Sequence, residues 1–423
     1  MDECGANLWS MARTVKAAAI QLAAHSRASF SGAWSAIADR IAAAAAQGMQ
    51  LVVLPEGTLP AYVLGYERYE AREIESALRE CSELARRHGI VVVAGAARRE
   101  GERVFNSALV IDSDGSIAGA ADKHFLWHFD RQWYAPGERI EPIQTSIGTI
   151  GALVCADGRI PTISRALVDA GAQILVMPTA WVTSGRDSQN LENVQADLLA
   201  RVRARENGVP FIAANKSGVE LGCVAYCGKS QIIAADGTLL ALASQDRAET
   251  IAAEIAIDAE QVKRSNDFGA TLEGPWDAPA RVAITARARR DGDDELLRIL
   301  EAETLIHSGS PALRDGIVLD PAGLAALRMS GRTLAIWNTS YDPAWQVTFA
   351  RARALELRMY VIVIDAQRER AYAVDPDGAV ICGTFGEYEI ASFAFDPAKT
   401  KQTAVAPGTD VLEGLARAQI HAR

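Results

Sequence analysis

The sequence predicts an α/β protein whose sheets are covered by helices, and three observations carry that expectation. Short apolar runs alternate with longer amphipathic segments along the chain. Two of the helical segments are closed by glycine, which accepts the left-handed conformation at a helix C-terminus. Two Asp-Gly pairs, Asp114-Gly115 and Asp236-Gly237, stand between apolar runs and mark hairpins.

The elements follow in chain order. Residues 15–24 (VKAAAIQLAA) read as a strand, and the Ala-rich run 32–48 as a helix stopped by Gly48. Residues 49–57 (MQLVVLPEG) read as a buried strand ending in a Pro-Glu-Gly turn. A helix at 70–89, a buried strand at 90–99 and two strands within 102–126 come next. Ile150 to Val154 suits a buried strand that breaks into a polar turn directly after Cys155. A helix (162–171), a strand (172–181), a long helix (190–208), a strand (209–217) and the second hairpin complete a domain at 14–262. Residues 263–281, polar with Gly and Pro, read as a linker to a smaller α/β domain at 282–423.

Composition excludes several classes. A chain of 423 residues is too long for one small core, which fits the two-domain division. A net charge of -10 argues against nucleic-acid and anionic-membrane partners, which want basic surfaces. No run reaches the ~18 apolar residues of a membrane span, and the N-terminus has no secretory pattern. Six scattered cysteines make no disulfide framework, so a cytoplasmic setting is expected. Cys223 and Cys227 lack the further ligands of a metal site.

Function in such sheets gathers at strand ends, in loops held by a rigid scaffold. Three ends carry reactive groups: Glu56 after LVVLP, Lys123 after SIAGAAD and Cys155 after GALV. Each alone has an inert reading, the cysteine as a small buried filler. Together they make coherent chemistry. A cation lowers the thiol pKa. A carboxylate takes the thiol proton and returns it to a leaving amine. The lysine, with the N–H after the cysteine, stabilises an oxyanion.

The surroundings of the three residues resemble the signature blocks of the nitrilase superfamily, the carbon–nitrogen hydrolases. The blocks are VVLPEGTLPAYVLG, DKHFLWHFDRQWYAPGE and GALVCADGRIPTISRALVDAGAQILVMPTAW, in that order. FNSALVID, PFIAANKSG and GKSQIIAADGTLL fit as minor blocks. The resemblance implies a four-layer α-β-β-α sandwich, a covalent cysteine intermediate and no metal or organic cofactor. It implies Glu56 as general base, Lys123 as oxyanion stabiliser and Cys155 as nucleophile, with the N–H of Ala156 completing the oxyanion hole. Many members carry a second glutamate before the Tyr-x-Pro-Gly of the lysine block. Here Asp130 lines up best, and Glu138, just past Pro136-Gly137, is the other carboxylate in reach. The carbamoylase-like wording HFDRQWYAPG favours Asp130.

True nitrilases carry Trp-Glu after the nucleophile. Ala156-Asp157-Gly158-Arg159 is similar instead to the amidase and carbamoylase branches. Asp157 is expected to fix the turn through backbone N–H groups. Arg159 has two readings, a binder of a substrate carboxylate or a member of an internal ion pair. Trp127, Trp133 and Trp181 either wall the pocket or belong to the core. The expected protein is a cytoplasmic amidohydrolase, a homodimer or larger homo-oligomer, acting on a small linear amide or carbamoyl compound with water. The rivals are a nitrilase proper and a non-catalytic binding or regulatory subunit.

Residues 282–423 resemble a degenerate partial copy of the first domain's later half. IVLDPAGLAALRMSGRTLAIWNTSY tracks the cysteine block, with Leu319 falling at Cys155. QVTFARARALELRMYVIVID and AYAVDPDGAVICG track the following helix, strand and hairpin. The Glu and Lys blocks have no counterpart, so no chemistry is expected there. One apolar sheet face of such a half-sandwich must be covered by residues 281–305, by the first domain or by another chain.

Overall fold

A computed structural model describes residues 13–183, 187, 189–257, 276–385 and 388–421. The first part runs β1 (Thr14–Ala23), α1 (Phe30–Ala46), β2 (Leu51–Val53), α2 (Arg72–His88), β3 (Val91–Glu100), β4 (Arg103–Ile111) and β5 (Ile117–Asp122). It continues with β6 (Ile143–Thr145), β7 (Gly148–Ala152), α3 (Pro161–Asp169), β8 (Ile174–Pro178), α4 (Ala200–Asn207) and β9 (Phe211–Ala214). β10 (Lys216–Glu220), β11 (Val224–Cys227), β12 (Gln231–Ile233), β13 (Leu239–Leu242) and β14 (Glu249–Ala256) close it.

One sheet has the order β11-β10-β1-β2-β3-β4-β5, with β14 also paired to β1, and the other β13-β12-β9-β8-β7-β6. The pleat of β1 explains the layering. Val15, Ala17 and Ala19 face the second sheet, while Ala18, Ile20 and Leu22 face α1 and α2. With α3 and α4 on the outer face of the second sheet, the four layers are the α-β-β-α sandwich expected from the resemblance.

Two boundaries differ from the sequence reading. The helix expected from residue 190 begins later, through a π-helical turn at Gln195–Leu199 that leads into α4. Asn193 ends the preceding loop, its side-chain oxygen accepting from Gln195 N at 2.9 Å. The strand expected over 209–217 is two strands. β9 belongs to one sheet, the chain crosses at Asn215, and β10 pairs parallel with β1 in the other.

The C-terminal part runs β15 (Ala280–Ile284), α5 (Asp293–Ile299), β16 (Thr304–Ile306), α6 (Asp315–Leu319), α7 (Pro321–Met329), β17 (Leu334–Asn338), α8 (Pro343–Leu357) and β18 (Tyr360–Asp365). β19 (Arg370–Val374), β20 (Val380–Gly383), β21 (Ala391–Phe395), α9 (Pro397–Lys401), β22 (Ala404–Ala406), β23 (Thr409–Asp410) and α10 (Val411–His421) follow. The expected linker is corrected at its end. Residues 263–275 lie outside the described residues, but Trp276 packs on Phe395 at 5.4 Å between ring centroids, and β15 begins at Ala280. The sheets β17-β18-β19-β20 and β16-β15-β21 enclose a core of Val282, Ile306, Ile336, Ile362 and Phe393. Residues 281–305 thus cover one face of the four-stranded sheet. Its other face carries α7 and α8, which pack on α3 and α4 of the first part in one continuous core. Among the described residues no helix is long and apolar enough to cross a membrane.

Candidate active site

Glu56 leaves β2 through Pro55 and turns against β3. The turn fits because residue 95 is glycine. A Cβ there would lie 2.2 Å from the Pro55 carbonyl oxygen and 2.5 Å from Glu56 Cα. The backbone N–H of Glu56 donates to Thr179 O at 3.2 Å, just past β8 in the other sheet.

Lys123 follows β5, and its N–H donates to Asn106 O at 2.8 Å. Its Nζ lies 2.7 Å from Glu56 Oε1 and 2.6 Å from Asp130 Oδ2. All three side chains are fully buried. Burial pulls the lysine pKa down, but the charges of Asp130 and Glu56 outweigh it and hold the pKa well above its ordinary value. The two carboxylates thus favour the charged ammonium. Asp130 sits in a short helical turn, where Oδ2 also accepts from Trp127 N at 2.8 Å and Oδ1 from Tyr62 Oη at 2.9 Å. Glu56 Oε1 accepts in addition from Asn106 Nδ2 at 2.6 Å, while Oε2 is buried without a partner.

Cys155 opens the helical turn Cys155–Arg159 with a φ of 47°, the left-handed region that a cysteine enters only under constraint. Burial first, and then the charge of Glu56, push its thiol pKa up, against the pull of Lys123. The resting sulfur is a thiol, so attack requires a base. Asp157 provides the constraint. Oδ2 accepts from Val154 N at 3.1 Å, and Oδ1 from His124 N at 3.0 Å and Phe125 N at 2.8 Å. It therefore ties the cysteine turn to the segment after the lysine, as the turn-fixing reading expects. Its burial raises its pKa to about 7.

The sequence profile of the family described as carbon-nitrogen hydrolase matches residues 16–264. The chain belongs to the carbon-nitrogen hydrolase family. It is 31% identical over 235 residues to a nitrilase of Pyrococcus abyssi, covering 53% of this chain and 84% of that protein. It is 26% identical over 215 residues to an (R)-stereoselective amidase of a Pseudomonas species, covering 50% and 74%. A crystal structure of a carbon-nitrogen hydrolase from Helicobacter pylori G27 matches with a TM-score of 0.51 at 30% identity, over 58% of this chain and 90% of that one. An amidase from a Nesterenkonia species matches with a TM-score of 0.51 at 26% identity, over 58% and 91%.

Around the trio of this carbon-nitrogen hydrolase the remaining candidates fall out differently. Ala156 is buried in the cysteine turn. Of the two acids considered for the lysine, Asp130 reaches it and Glu138 does not. Glu138 is exposed and paired with Arg103 at 2.8 Å, because the Pro136-Gly137 turn carries it outward. Arg159 lies over the Trp127 ring, 4.7 Å from its centroid, and its buried Nε has no hydrogen-bond partner. No acid among the described residues pairs with it, and burial lowers its pKa to about 10. The internal ion pair is thus absent among those residues. Trp181 is buried, with its backbone N–H bound to Asn215 Oδ1 at 2.8 Å. Trp133 packs edge-on to Phe129.

Sequence reasoning missed Tyr62 and Asn106, which hold the two carboxylates. Both stand inside the matched blocks, each a polar-tipped residue in an apolar run, and that was the available signal. It also missed a second buried pair. Lys216 Nζ lies 3.2 Å from Glu220 Oε2 and donates to Gly57 O at 3.0 Å, directly behind the Glu56 turn.

Proposed function

We propose that this carbon-nitrogen hydrolase cleaves a linear, non-peptide amide or N-carbamoyl compound through a thioester on Cys155. The observation that carries the reading is the Lys123 ammonium clamped between Glu56 and Asp130, with the second oxygen of Glu56 left without a partner, beside the Cys155 turn. Glu56 takes the Cys155 proton as Sγ bonds to the carbonyl carbon. The oxyanion is met by Lys123 and the Ala156 N–H. The C–N bond breaks as Glu56 protonates the departing nitrogen, and ammonia or an amine leaves. Water, deprotonated by Glu56, then attacks the thioester. The C–S bond breaks, the acid departs and Cys155 regains its proton.

Arg159 supports a substrate that carries a carboxylate. A guanidinium four residues after the nucleophile, with no acid partner among the described residues, meets such a group without breaking an internal pair. This favours N-carbamoyl amino acids within the class.

The test is release of ammonia from linear amides, N-carbamoyl amino acids and nitriles, with Cys155→Ala as blank and mass spectrometry of the Cys155 adduct. Turnover of amides or carbamoyl compounds with a trapped acyl-cysteine is expected. Acid formed from nitriles alone replaces this reading with the nitrilase one. No adduct from any compound points to a binding or regulatory subunit.

A further inference from the structure

We propose that residues 280–421 act as an in-chain partner subunit. They are a condensed, chemically silent copy that packs on the first part about a pseudo-two-fold axis and holds its lysine loop through Thr409. Only the kinetic arm of the test rests on the function proposed above.

The ladders carry the likeness. β17–β18 are parallel, β18–β19 and β19–β20 antiparallel, with a register shift at Ala373/Val374. β8–β9, β9–β12 and β12–β13 repeat this order and direction, with the shift at Ile232/Ile233. β15 pairs parallel with β16 and antiparallel with β21, as β1 does with β2 and β14. Pro161 and Pro321 open α3 and α7 alike. Leu153 N donates to Val176 O at 2.9 Å, and Leu313 N to Ile336 O at 2.7 Å. This last match corrects the sequence alignment, because Asp315, not Leu319, stands at the position of Cys155. Asp315 is no nucleophile in waiting, since its carboxylate accepts from the Trp337 indole at 2.7 Å. Counted from the matched ladders, Gly309 stands where Glu56 does. Among the described residues nothing corresponds to β3–β5, so the copy has no lysine strand.

The contact between the copies is reciprocal. In an isologous interface residue i meets j and j meets i. Arg203 pairs with Glu206 on its own helix and Glu356 across, while Arg353 pairs with Glu356 and Glu206. Arg203 Nε donates to Gly158 O at 2.9 Å, and Arg353 Nε to Val318 O at 2.8 Å. Gly158 and Val318 are equivalent in the corrected alignment. All four charged side chains are buried. Two copies of one fold meet here as identical subunits would, within a single chain, so this face has no room for a second molecule.

The end of the copy reaches the site. Thr409 is fully buried, and its hydroxyl accepts from His128 N at 2.7 Å. His128 has a φ of 42° and lies two residues before Asp130. Glu413 pairs with Arg131 at 3.3 Å. α10 also presses so closely that a Cβ on Gly414 would lie 2.7 Å from both Ile160 and Phe125. One helix therefore touches the segments after Cys155 and after Lys123. Thr409 is a positioning residue, acting through the His128 turn on Asp130.

Thr409→Val keeps the shape and removes the acceptor. It should lower kcat about tenfold with KM within about twofold, since a small misplacement of a reacting group is costly. Alkylation of Cys155 by iodoacetamide should slow in parallel, and Thr409→Ser should restore both. Wild-type kcat and alkylation in Thr409→Val, or a loss that Thr409→Ser does not rescue, overturns the positioning role. Glu206→Gln and Glu356→Gln should lower the thermal midpoint by equal amounts, and shifts differing more than about twofold overturn the pseudo-symmetry. Alkylation needs no substrate, so an inactive substrate panel would sink the amide reading and leave this one standing.

Discussion

Two of the buried ion clusters among the described residues are built on opposite plans. The quartet between the copies balances two arginines against two glutamates, each carboxylate shared by both arginines. The site cluster sets one lysine against Glu56 and Asp130, leaves Glu56 Oε2 without a partner, and adjoins a strained cysteine. Closed reciprocity fixes packing. An unbalanced cluster with an open acceptor is ready to take up a proton. Burial alone therefore does not mark a functional site; charge left unbalanced beside a nucleophile does.

Cys155→Ala should break the comparison at its root. Turnover is abolished while the thermal midpoint stays near wild type, and a variant keeping a tenth of activity on a genuine substrate refutes the nucleophile. Lys123→Arg should cost on the order of 10² to 10³ in kcat, because a planar fork cannot replace a compact ammonium between two carboxylates. Arg353→Met should do the reverse. It leaves an uncompensated buried charge and destabilises by about 3–5 kcal/mol in denaturant melts, with kcat of the folded fraction unchanged.

A smaller effect is read by pH at His124, beside the site cluster. Burial first, then the neighbouring His421 and Arg417, lower the His124 pKa to about 4. The unfolded chain binds this proton near pH 6.5 and the folded one does not, so the His124 contribution to stability is lost as pH falls from about 6.5 toward about 4, against the opposite slope of Asp157, whose pKa is raised to about 7. The slope is at most about 1.4 kcal/mol per pH unit. His124→Asn should remove this contribution and shift the slope measured in melts across that window toward greater stability at low pH, and an unchanged slope refutes the His124 assignment. Tyr62→Phe should be mildest, costing about 1 kcal/mol of stability for one lost hydrogen bond to Asp130. A loss of kcat beyond about tenfold would move Tyr62 from support into the chemistry.

Much of this was legible in the sequence, and what was not has physical causes. Alternating apolar runs and glycine stops located β1 to β5 and both early helices, because pleat and helix period write themselves into side-chain spacing. The three matched blocks brought Glu56, Lys123 and Cys155 forward for the same reason that they meet, each following the end of a strand, though the strand before Lys123 is a partly exposed edge strand. The block wording already favoured Asp130 over Glu138, and the structure adds the physical reason, since a helical turn brings Asp130 to the lysine and a Pro-Gly turn carries Glu138 outward. The sheet switch at Asn215 falls where the apolar run gives way to Asn215, Lys216 and Ser217, three polar residues that are all buried, so polarity there marks a crossing and not a surface loop. The misplaced Leu319 shows apolar pattern overriding a better marker, as aligning Pro321 with Pro161 would have set the register.

The crossing at Asn215 has a mechanical consequence. Glu56 and Lys123 are carried by one sheet and Cys155 by the other, so sliding of the layers past each other would part acid from thiol. The chain itself passes between the sheets at Asn215, whose amide also grips Trp181 N and, at 2.6 Å, Gly228 O. The Glu56–Thr179 backbone bond bridges the same gap. These links act as rivets against shear, and the registry they keep is the alignment on which proton transfer depends.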